Sequence, residues 1–345
     1  MVSRFRIRQI SEEKEQELSP HAVKSTLSRG RAREESPCPI RTAFQVDRDR
    51  IIHSKAFRRL KHKTQVFTAP LGDHYATRLT HTLEVSQLAR TISRALNLNE
   101  DLTEAISLGH DLGHTPFGHI GESVLNDLYK GGFRHNEQSL RVVDLLEDNG
   151  RGLNLTWEVR DGILNHSKPE DNILGKNWGK VGTIEGEVCR ISDIVAYVNH
   201  DIDDAIRAGL LTEGDLPLAA VSVLGNTHGK RINTMVCDII ESSWGVTGYE
   251  TTISPTVKMS PTVLEATNTL RQFLFDHVYN VQSAGREADR AREVVRKLYK
   301  HFTRNPGSLP PEYSVFSDEA ERRAVDYIAG MTDQFATRLA EELSL

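Results

Sequence analysis

The chain has 345 residues, enough for one large domain or two of ordinary size. A formal net charge of −5 argues against a protein that coats nucleic acid, and three scattered cysteines cannot build a disulfide framework or a thiolate zinc cluster. We expect a cytoplasmic protein, because the sequence has no run of about eighteen apolar residues and no apolar leader after its first methionine.

Most of the predicted elements are helices, since Leu, Ala, Glu and Arg recur at helical spacing through much of the chain. Residues 1–40 are charged and serine-rich without a sustained apolar stripe, so we expect a partly ordered arm. A cationic segment follows. It fits either a solvated helix face, which is the more common case, or a phosphate-binding surface if a phosphate site lies nearby. Its cations are Arg48, Arg50, Lys55, Arg58, Arg59, Lys61 and Lys63.

The stretch "HYATRLTHTLEVSQLARTISRALNL" predicts a long helix with one apolar face. His81, Val85, Leu88 and Ile92 follow one another at spacings of four, three and four residues, which places them on that face. A lone buried histidine is more often hydrogen-bonded to backbone than bound to a metal. Eight of the fourteen histidines, however, lie between residues 53 and 135, so a local cause such as a metal site becomes a real alternative.

The next stretch, "LGHDLGHTPFGHIGE", mixes imidazoles and carboxylates with apolar residues and glycine. This mixture indicates side chains that converge in a pocket, and we interpret it as a metal site. A helix is predicted from near Asn99 as far as His110 and Asp111, and Pro116 should end it in a turn that presents His114. A His-Asp pair by itself is weak evidence, since neighbouring helical residues project about 100° apart.

A later helix, "EGEVCRISDIVAYVNHDIDDAI", carries two stripes. Its apolar stripe consists of Val188, Ile191, Val195, Val198 and Ile202. The second stripe places Asp193, Tyr197 and Asp201 four residues apart, on one face. An unpaired carboxylate among apolar residues would be unfavourable, so Asp193 either binds a cation or forms a buried salt bridge with an arginine; the residues leave both possibilities open.

Six motifs in one order give the sequence a specific resemblance. They are "FRRLKHKTQVF", "TRLTHTLEVSQLAR", "GHDLGHTPFGHIGE", "RHNEQSLRVV", "EGEVCRISDIVAYVNHDIDDA" and "VDYIAGMTDQFATRL". From about Arg41 to Leu339, the chain resembles the deoxyguanosine triphosphate triphosphohydrolase-like family of HD-domain phosphohydrolases. The resemblance implies an all-α HD-domain fold with additional C-terminal helices. It also implies a catalytic core over residues 41–210 and a helical part over 211–345 that completes the pocket and the oligomer contacts.

The resemblance implies hydrolysis of deoxynucleoside triphosphates to deoxynucleoside and inorganic triphosphate. Carried over by position, the metal ligands are His81, His110, Asp111 and Asp193. Two imidazoles and two carboxylates suit one divalent ion, which would activate water for attack at the α-phosphorus. Mixed nitrogen and oxygen ligands leave the metal open among Mn, Mg, Fe, Ni and Zn.

Departure of the sugar 5′ oxygen requires a proton, and the resemblance assigns this step to His119 and Glu122. A carboxylate three residues after a histidine on a helix can raise the pKa of the imidazole and fix its tautomer. We therefore expect His119 to carry the proton and Glu122 to orient it. The same pair could also be an ordinary contact on a solvated helix face.

Further residues are assigned to the substrate by the resemblance alone. Arg78 and His114 would face the phosphates, and Gln65 the 3′ hydroxyl. Tyr197 and Asp201 would face the sugar, although Tyr197 could equally be a core aromatic. The expected partners are the dNTP substrate, a dNTP effector and further copies of the chain, and no membrane.

Two other functions stay open at this point. One is an HD-type phosphohydrolase acting on nucleoside monophosphates or cyclic nucleotides, which would have no use for the cations that bind a triphosphate. The other is a nucleic-acid-binding regulator with a vestigial site, which is possible through the cationic segment but not favoured.

Overall fold

A computed structural model of the chain describes residues 5–66, 75–167, 181–250, 255–315 and 317–343. Within these ranges the chain is built from α-helices joined by turns, loops and short 3₁₀- and π-helical segments, and it contains two isolated β-bridges and no strand. The all-α prediction is therefore confirmed. The helices are α1 (Ile7–Lys14), α2 (Ala43–His53), α3 (Lys55–Arg59), α4 (Arg78–Ala95), α5 (Glu100–Gly109), α6 (His119–Leu128), α7 (His135–Arg141), α8 (Trp157–Asn165), α9 (Ile184–Arg207), α10 (Leu218–Leu224), α11 (His228–Ser242), α12 (Pro261–Leu274), α13 (Asn280–Ser283), α14 (Arg286–Arg304), α15 (Ala320–Ala329) and α16 (Asp333–Glu342).

Two compact units divide the chain, and each is assembled from three separate stretches of sequence. The first consists of Met1–Ile52, Thr82–His110 and Asn154–Leu274. The second consists of His53–His81, Asp111–Leu153 and Phe275–Leu345. No helix in the described part of the chain is long and apolar enough to cross a bilayer.

The first unit is organised around α9, which packs against α5, α8, α11 and α12. The predicted apolar stripe of α9 is buried along its whole length, from Val188 to Ile202. Thr183 caps this helix, because its hydroxyl accepts a hydrogen bond from the Gly186 N–H. The four-residue and three-residue spacing in the sequence therefore indicated the correct face.

Helix α5 is fixed at both ends. The Asn99 side chain caps its start by accepting hydrogen bonds from the backbone N–H groups of Asp101 and Leu102. At its end, a Cβ on Gly109 would come 2.6 Å from Ile163 Cδ1, so glycine is what allows α8 to approach this closely. Because the helix stops at Gly109, His110 lies directly at its C-terminal end, as predicted.

Residues before α2 also contribute buried polar contacts to the first unit. The Glu15 carboxylate accepts hydrogen bonds from the backbone N–H and the hydroxyl of Ser25. Glu185, at the start of α9, accepts from the backbone N–H groups of Val23 and Asn99. Complete burial raises the pKa of Glu185 to about 7.

The second unit has an apolar core that joins two distant parts of its sequence. Phe117, Val124, Leu125 and Phe133 pack in one cluster with buried residues of α14, α15 and α16. Helix α14 turns its apolar side into this core and leaves most of its cations on the outside. This helix ends at Arg304, two residues before Pro306.

Candidate functional site

The turn that follows α5 is seated directly on α7, within the second unit. The Gly113 N–H donates to the Ser139 hydroxyl at 2.8 Å. A Cβ on Gly113 would come 2.1 Å from the Ser139 backbone nitrogen, so no larger residue fits without a shift. The glycine in "HDLGH" therefore sets the position of the two residues on either side of it, Asp111 and His114.

Asp111 is the centre of a buried polar cluster in this unit. Arg78, the first residue of α4, donates from Nη1 to Asp111 Oδ2 at 2.7 Å. His81 Nε2 lies 3.9 Å from the same oxygen, and His114 Nε2 lies 3.4 Å from Oδ1. All four side chains are buried. His81 and Asp111 belong to a His/Asp cluster of the kind that can hold a divalent ion.

Arg78 is buried with part of its hydrogen-bonding capacity unused. It is 1% exposed, yet within the described part of the chain its Nε and Nη2 atoms have no hydrogen-bond partner. The same holds for Nδ1 of His114. Burial and the neighbouring Arg78 guanidinium hold the pKa of His114 well below its ordinary value, so its imidazole is neutral. Buried donors without a partner are unfavourable, and an anion beside Arg78 would satisfy them.

Glu122 is shared between two histidines. Its Oε2 lies 3.0 Å from His119 Nδ1, and its Oε1 lies 2.9 Å from His135 Nδ1 and accepts from the His135 backbone N–H at 2.8 Å. Burial by itself would raise the pKa of Glu122, but His135 and the hydrogen bonds from both histidines hold it well below its usual range. Likewise, burial opposes protonation of His135, yet Glu122 raises the pKa of that imidazole above its ordinary value.

Three histidines of the second unit, His114, His119 and His135, form a compact group of rings. His114 stacks on His135 with 4.0 Å between the ring centroids and an interplanar angle of 13°. His119 meets His114 edge-on at 5.2 Å. The His119 side chain is 71% exposed, whereas His114 and His135 are buried. His119 is therefore the member of this group that is most accessible to a solute.

Gln65 lies next to a tight turn that includes Phe117 and Gly118. Both turn residues have positive φ, 60° and 57°. A Cβ on Gly118 would come 3.1 Å from Arg78 Nη2 and 3.2 Å from the Gln65 carbonyl oxygen. Glycine thus allows close approach as well as the backbone angle. The side-chain oxygen of Gln65 is buried without a hydrogen-bond partner among the described residues, so it can accept a hydrogen bond from a ligand.

The remaining candidates lie in the first unit. His110 shares a hydrogen bond of 2.7 Å between Nδ1 and the Ser107 carbonyl, which fixes the proton on Nδ1 and leaves Nε2 as the lone-pair nitrogen. Its ring meets His166 edge-on at 4.9 Å, and His166 makes the same bond to the Ile163 carbonyl. Sequence reasoning missed His166; its only signal was a histidine at the end of the pattern "GILNH".

Asp193, Tyr197 and Asp201 follow one face of α9, as their spacing predicts. Tyr197 is hydrogen-bonded by Arg271 of α12, a contact that sequence reasoning also missed. Burial raises the pKa of the Tyr197 hydroxyl, so it stays protonated. Asp201 lies 2.9 Å from His200 Nδ1. Asp193 and Tyr197 are half-buried and Asp201 is buried.

Two cations of the cationic segment, Arg48 and Lys63, are engaged by other groups of the protein. Arg48 pairs with Asp49, Asp101 and Glu104 of the first unit. Lys63 is 2% exposed, and its Nζ donates to the backbone carbonyls of His114 and Ala329. These cations have structural partners inside the protein, which weakens the nucleic-acid-binding alternative.

Two protein-family models match parts of the chain. The family model described as the HD domain matches residues 78–211, and the model described as the phosphohydrolase-associated domain matches residues 257–342. A solved structure of a hypothetical protein from Aquifex aeolicus superposes with a TM-score of 0.47 at 19% identity, covering 86% of this chain and 68% of that chain.

Three relatives match nearly the whole chain, and each is named deoxyguanosinetriphosphate triphosphohydrolase-like protein. The relative from Caldanaerobacter subterraneus subsp. tengcongensis is 58% identical over 99% of this chain and 96% of its own. Those from Desulfatibacillum aliphaticivorans and Clostridium perfringens are 50% and 52% identical over 92% and 93% of this chain, and each is covered over 92% of its length. The chain therefore belongs to the deoxyguanosinetriphosphate triphosphohydrolase-like family of HD-domain proteins.

Proposed function

We propose that the chain hydrolyses deoxynucleoside triphosphates to deoxynucleoside and inorganic triphosphate. The observation that carries this proposal is Arg78. Its guanidinium is buried beside Asp111, and two of its nitrogen atoms have no hydrogen-bond partner among the described residues. A buried cation with unused donors in a fixed fork suits phosphate oxygens, which bind arginine through charge-assisted hydrogen bonds.

The residues fit one divalent ion. His81 and Asp111 supply an imidazole nitrogen and a carboxylate from one buried cluster. His110 precedes Asp111 in the chain and presents Nε2 as its lone-pair nitrogen. With Asp193 as the fourth ligand, the donor set balances the charge of a divalent cation. When bound, the ion would supply Lewis acidity, lowering the pKa of water at the site and offsetting phosphate charge.

Side chains of the protein would bind the phosphates and protonate the leaving group. Arg78 would hold phosphate oxygens, because its guanidinium has donor capacity left in a site with little competing water, and the neutral His114 would face the phosphates beside it. His119 would protonate the departing 5′ oxygen from Nε2. Its Nδ1 faces Glu122, and Glu122 stays ionised because its pKa is held low, so the carboxylate would orient the imidazole ring.

Substrate selection is assigned to three further residues. Gln65 would accept a hydrogen bond from the 3′ hydroxyl through its unused side-chain oxygen. Tyr197 and Asp201 would lie against the sugar, where a tyrosine ring in contact with deoxyribose excludes a 2′ hydroxyl by size. We further propose that the protein acts in the cytoplasm as a homo-oligomer and responds to a dNTP effector.

Chromatographic analysis of products tests this function. The purified full-length chain is incubated with each dNTP, alone and mixed, in the presence of manganese, magnesium or iron(II). Deoxynucleoside and inorganic triphosphate are expected in equal amounts. A preparation of Asp111→Ala, purified in parallel, controls for contaminating phosphatases and should give neither product.

The products also separate the alternatives. Deoxynucleoside diphosphate and orthophosphate would place the attack at the γ-phosphorus and contradict the proposal. Equal turnover of deoxynucleoside monophosphates would favour the monophosphohydrolase function. Arg78→Gln should raise KM for the triphosphate by about tenfold or more, since a charge-assisted hydrogen bond contributes roughly 1.5–3 kcal/mol. Arg94→Gln, which changes an exposed arginine on the same helix, should leave KM unchanged.

A further inference from the structure

A cavity of the second unit lies behind the turn that carries Asp111 and His114. It has a volume of about 80 Å³, large enough for one tetrahedral oxyanion. Gly113 and Leu112 line it from the side of that turn, and Gln138 and Tyr313 line it elsewhere. The proposed hydrolysis assigns no role to the side chains of Leu112, Gln138 and Tyr313.

Three cations line this cavity, and none of them forms an ion pair with the described residues. They are Lys55, Arg59 and Lys63. Arg59 is half-buried and hydrogen-bonds the Tyr313 hydroxyl. Two arginines of this unit that do not line the cavity, Arg141 and Arg322, are each paired with the carboxylate of Asp326 at 2.7 Å. A group of cations without carboxylate partners around a cavity is typical of a site that takes an anion.

Lys63 is the most informative of the three. It is 2% exposed, and its ammonium group has three donors, of which the carbonyls of His114 and Ala329 occupy two. The third donor is left for the cavity that Lys63 lines. Burial lowers the pKa of Lys63 to about 7, because neutral carbonyls compensate an ammonium charge only in part. An anion in the cavity would compensate the remaining charge of the ammonium group.

Four carboxylates also line the cavity; three of them are engaged by other groups, and the fourth, Glu312, is exposed. Asp326 is fully buried between Arg141 and Arg322. Glu147 accepts hydrogen bonds from the backbone N–H groups of Lys55 and Ala56. Asp148 pairs with Arg151 at 2.8 Å. The side chains left to receive a ligand are therefore mainly cationic.

We propose that this cavity is an oxyanion-binding site, in which Arg59 and Lys63 bind a phosphate group next to the back of the Asp111–His114 turn. Phosphate can come from the free ion or from the end of a nucleotide, and the chemistry recognised is the same. Binding there is independent of hydrolysis. Any influence on catalysis through the contact from Lys63 to the His114 carbonyl rests on the proposed function.

Isothermal titration calorimetry with inorganic phosphate tests the proposal. The full-length chain carries Arg78→Gln throughout, so that phosphate binding beside Asp111 is weakened. Against this background, Arg59→Gln is expected to weaken phosphate binding about tenfold, the effect of losing one charge-assisted contact. Arg58→Gln, a change to the exposed neighbour on α3 that does not line the cavity, should leave the affinity within about twofold.

The outcomes are distinct. Equal affinity in the Arg59→Gln protein, or equal weakening in the Arg58→Gln protein, would overturn the site. Circular dichroism melting establishes that each variant is folded, and Lys55→Gln provides a second cavity variant, with a smaller expected loss because Lys55 is exposed. A parallel titration with deoxyadenosine monophosphate identifies the source. Binding that also depends on Arg59 indicates a nucleotide phosphate, whereas dependence with inorganic phosphate alone indicates the free ion.

Discussion

At the scale of single residues, Glu122 is central to its surroundings because its carboxylate contacts two histidine rings. Its carboxylate contacts His119, the exposed ring, and His135, the buried ring. Its low pKa means that it carries a negative charge throughout the neutral range. This charge favours the protonated form of His135.

Replacing His119 should separate catalysis from binding. In His119→Ala we expect kcat to fall by about 10²–10⁴, the usual range for loss of a general acid, while metal content and KM change little. Steady-state kinetics and elemental analysis measure these quantities. His62→Ala, which removes another exposed histidine, is the control and should retain kcat. An unchanged kcat in His119→Ala would assign the proton to another group.

Replacing Asp193 should instead remove metal and activity together. A cluster that loses one of two carboxylates leaves part of the charge of a divalent ion unbalanced, so Asp193→Ala is expected to retain little metal after dialysis and to show no turnover. Asp203→Ala, on the same helix but paired with His228 and Arg231, should keep its metal. Full metal content in Asp193→Ala would contradict its assignment as a ligand and favour the buried salt bridge.

At the scale of elements, α5 links a capping residue at one end to the His-Asp pair at the other. Asn99 caps the helix, and its side-chain amide also donates to Glu15 and to the Val23 carbonyl. Since the helix holds His110 at its end, we expect loss of the cap to disturb the position of His110 and also to lower the stability of the protein.

Asn99→Ala is expected to lower the free energy of unfolding by about 1–2 kcal/mol from the lost cap, with a further loss from the buried partners of its amide. Asn99→Ser is the matched variant, because serine can cap the helix but cannot donate to Glu15 and Val23 together. Urea denaturation should rank the wild type above Asn99→Ser and Asn99→Ala last. Equal stability of the three proteins would show that this cap contributes nothing.

The helices and their buried faces could be predicted because periodicity is local. His81 with its apolar stripe, the end of α5 near His110 and the two stripes of α9 all follow from spacing along a single helix. Contacts between distant segments could not be predicted. Neither the bond from Lys63 to the Ala329 carbonyl nor the one from Arg271 to Tyr197 has a signature in its own neighbourhood.

Prediction of the candidate site from the sequence was limited in the same way. Spacing and resemblance placed Arg78, His81, His114 and Asp111 among the functional residues, and the structure gathers these four side chains in one cluster. The sharing of Glu122 between two histidines was not foreseen, because His135 lies on another helix. Lys63 was grouped with solvated cations, since only packing reveals that a lysine in a basic segment is buried.

At the scale of the whole molecule, buried ionisable groups should make stability depend on pH. The pKa of Glu185 rises from 4.5 to about 7 on folding, so between these values the folded chain binds a proton that the unfolded chain releases. This group therefore makes stability fall as pH rises through that window. Lys63, whose pKa falls from 10.5 to about 7, makes stability rise with pH above the window.

Glu185→Gln isolates the first effect, because glutamine resembles the protonated carboxyl group. At about pH 8 we expect this variant to be more stable than the wild type by up to about 3 kcal/mol, and near pH 4.5 to be about equally stable. Thermal or urea unfolding at both pH values measures the difference. A variant that is less stable at both values would show that Glu185 is held in its ionised form.

The core of the second unit cannot form until the end of the chain has been translated. Helix α6 and Phe133 emerge early, whereas their partners on α14, α15 and α16 come from the end of the chain. At roughly 5–20 residues per second, translation leaves these apolar groups uncovered for on the order of ten seconds. Nascent chains of this protein are therefore expected to depend on chaperones, and fragments that stop before α14 should aggregate.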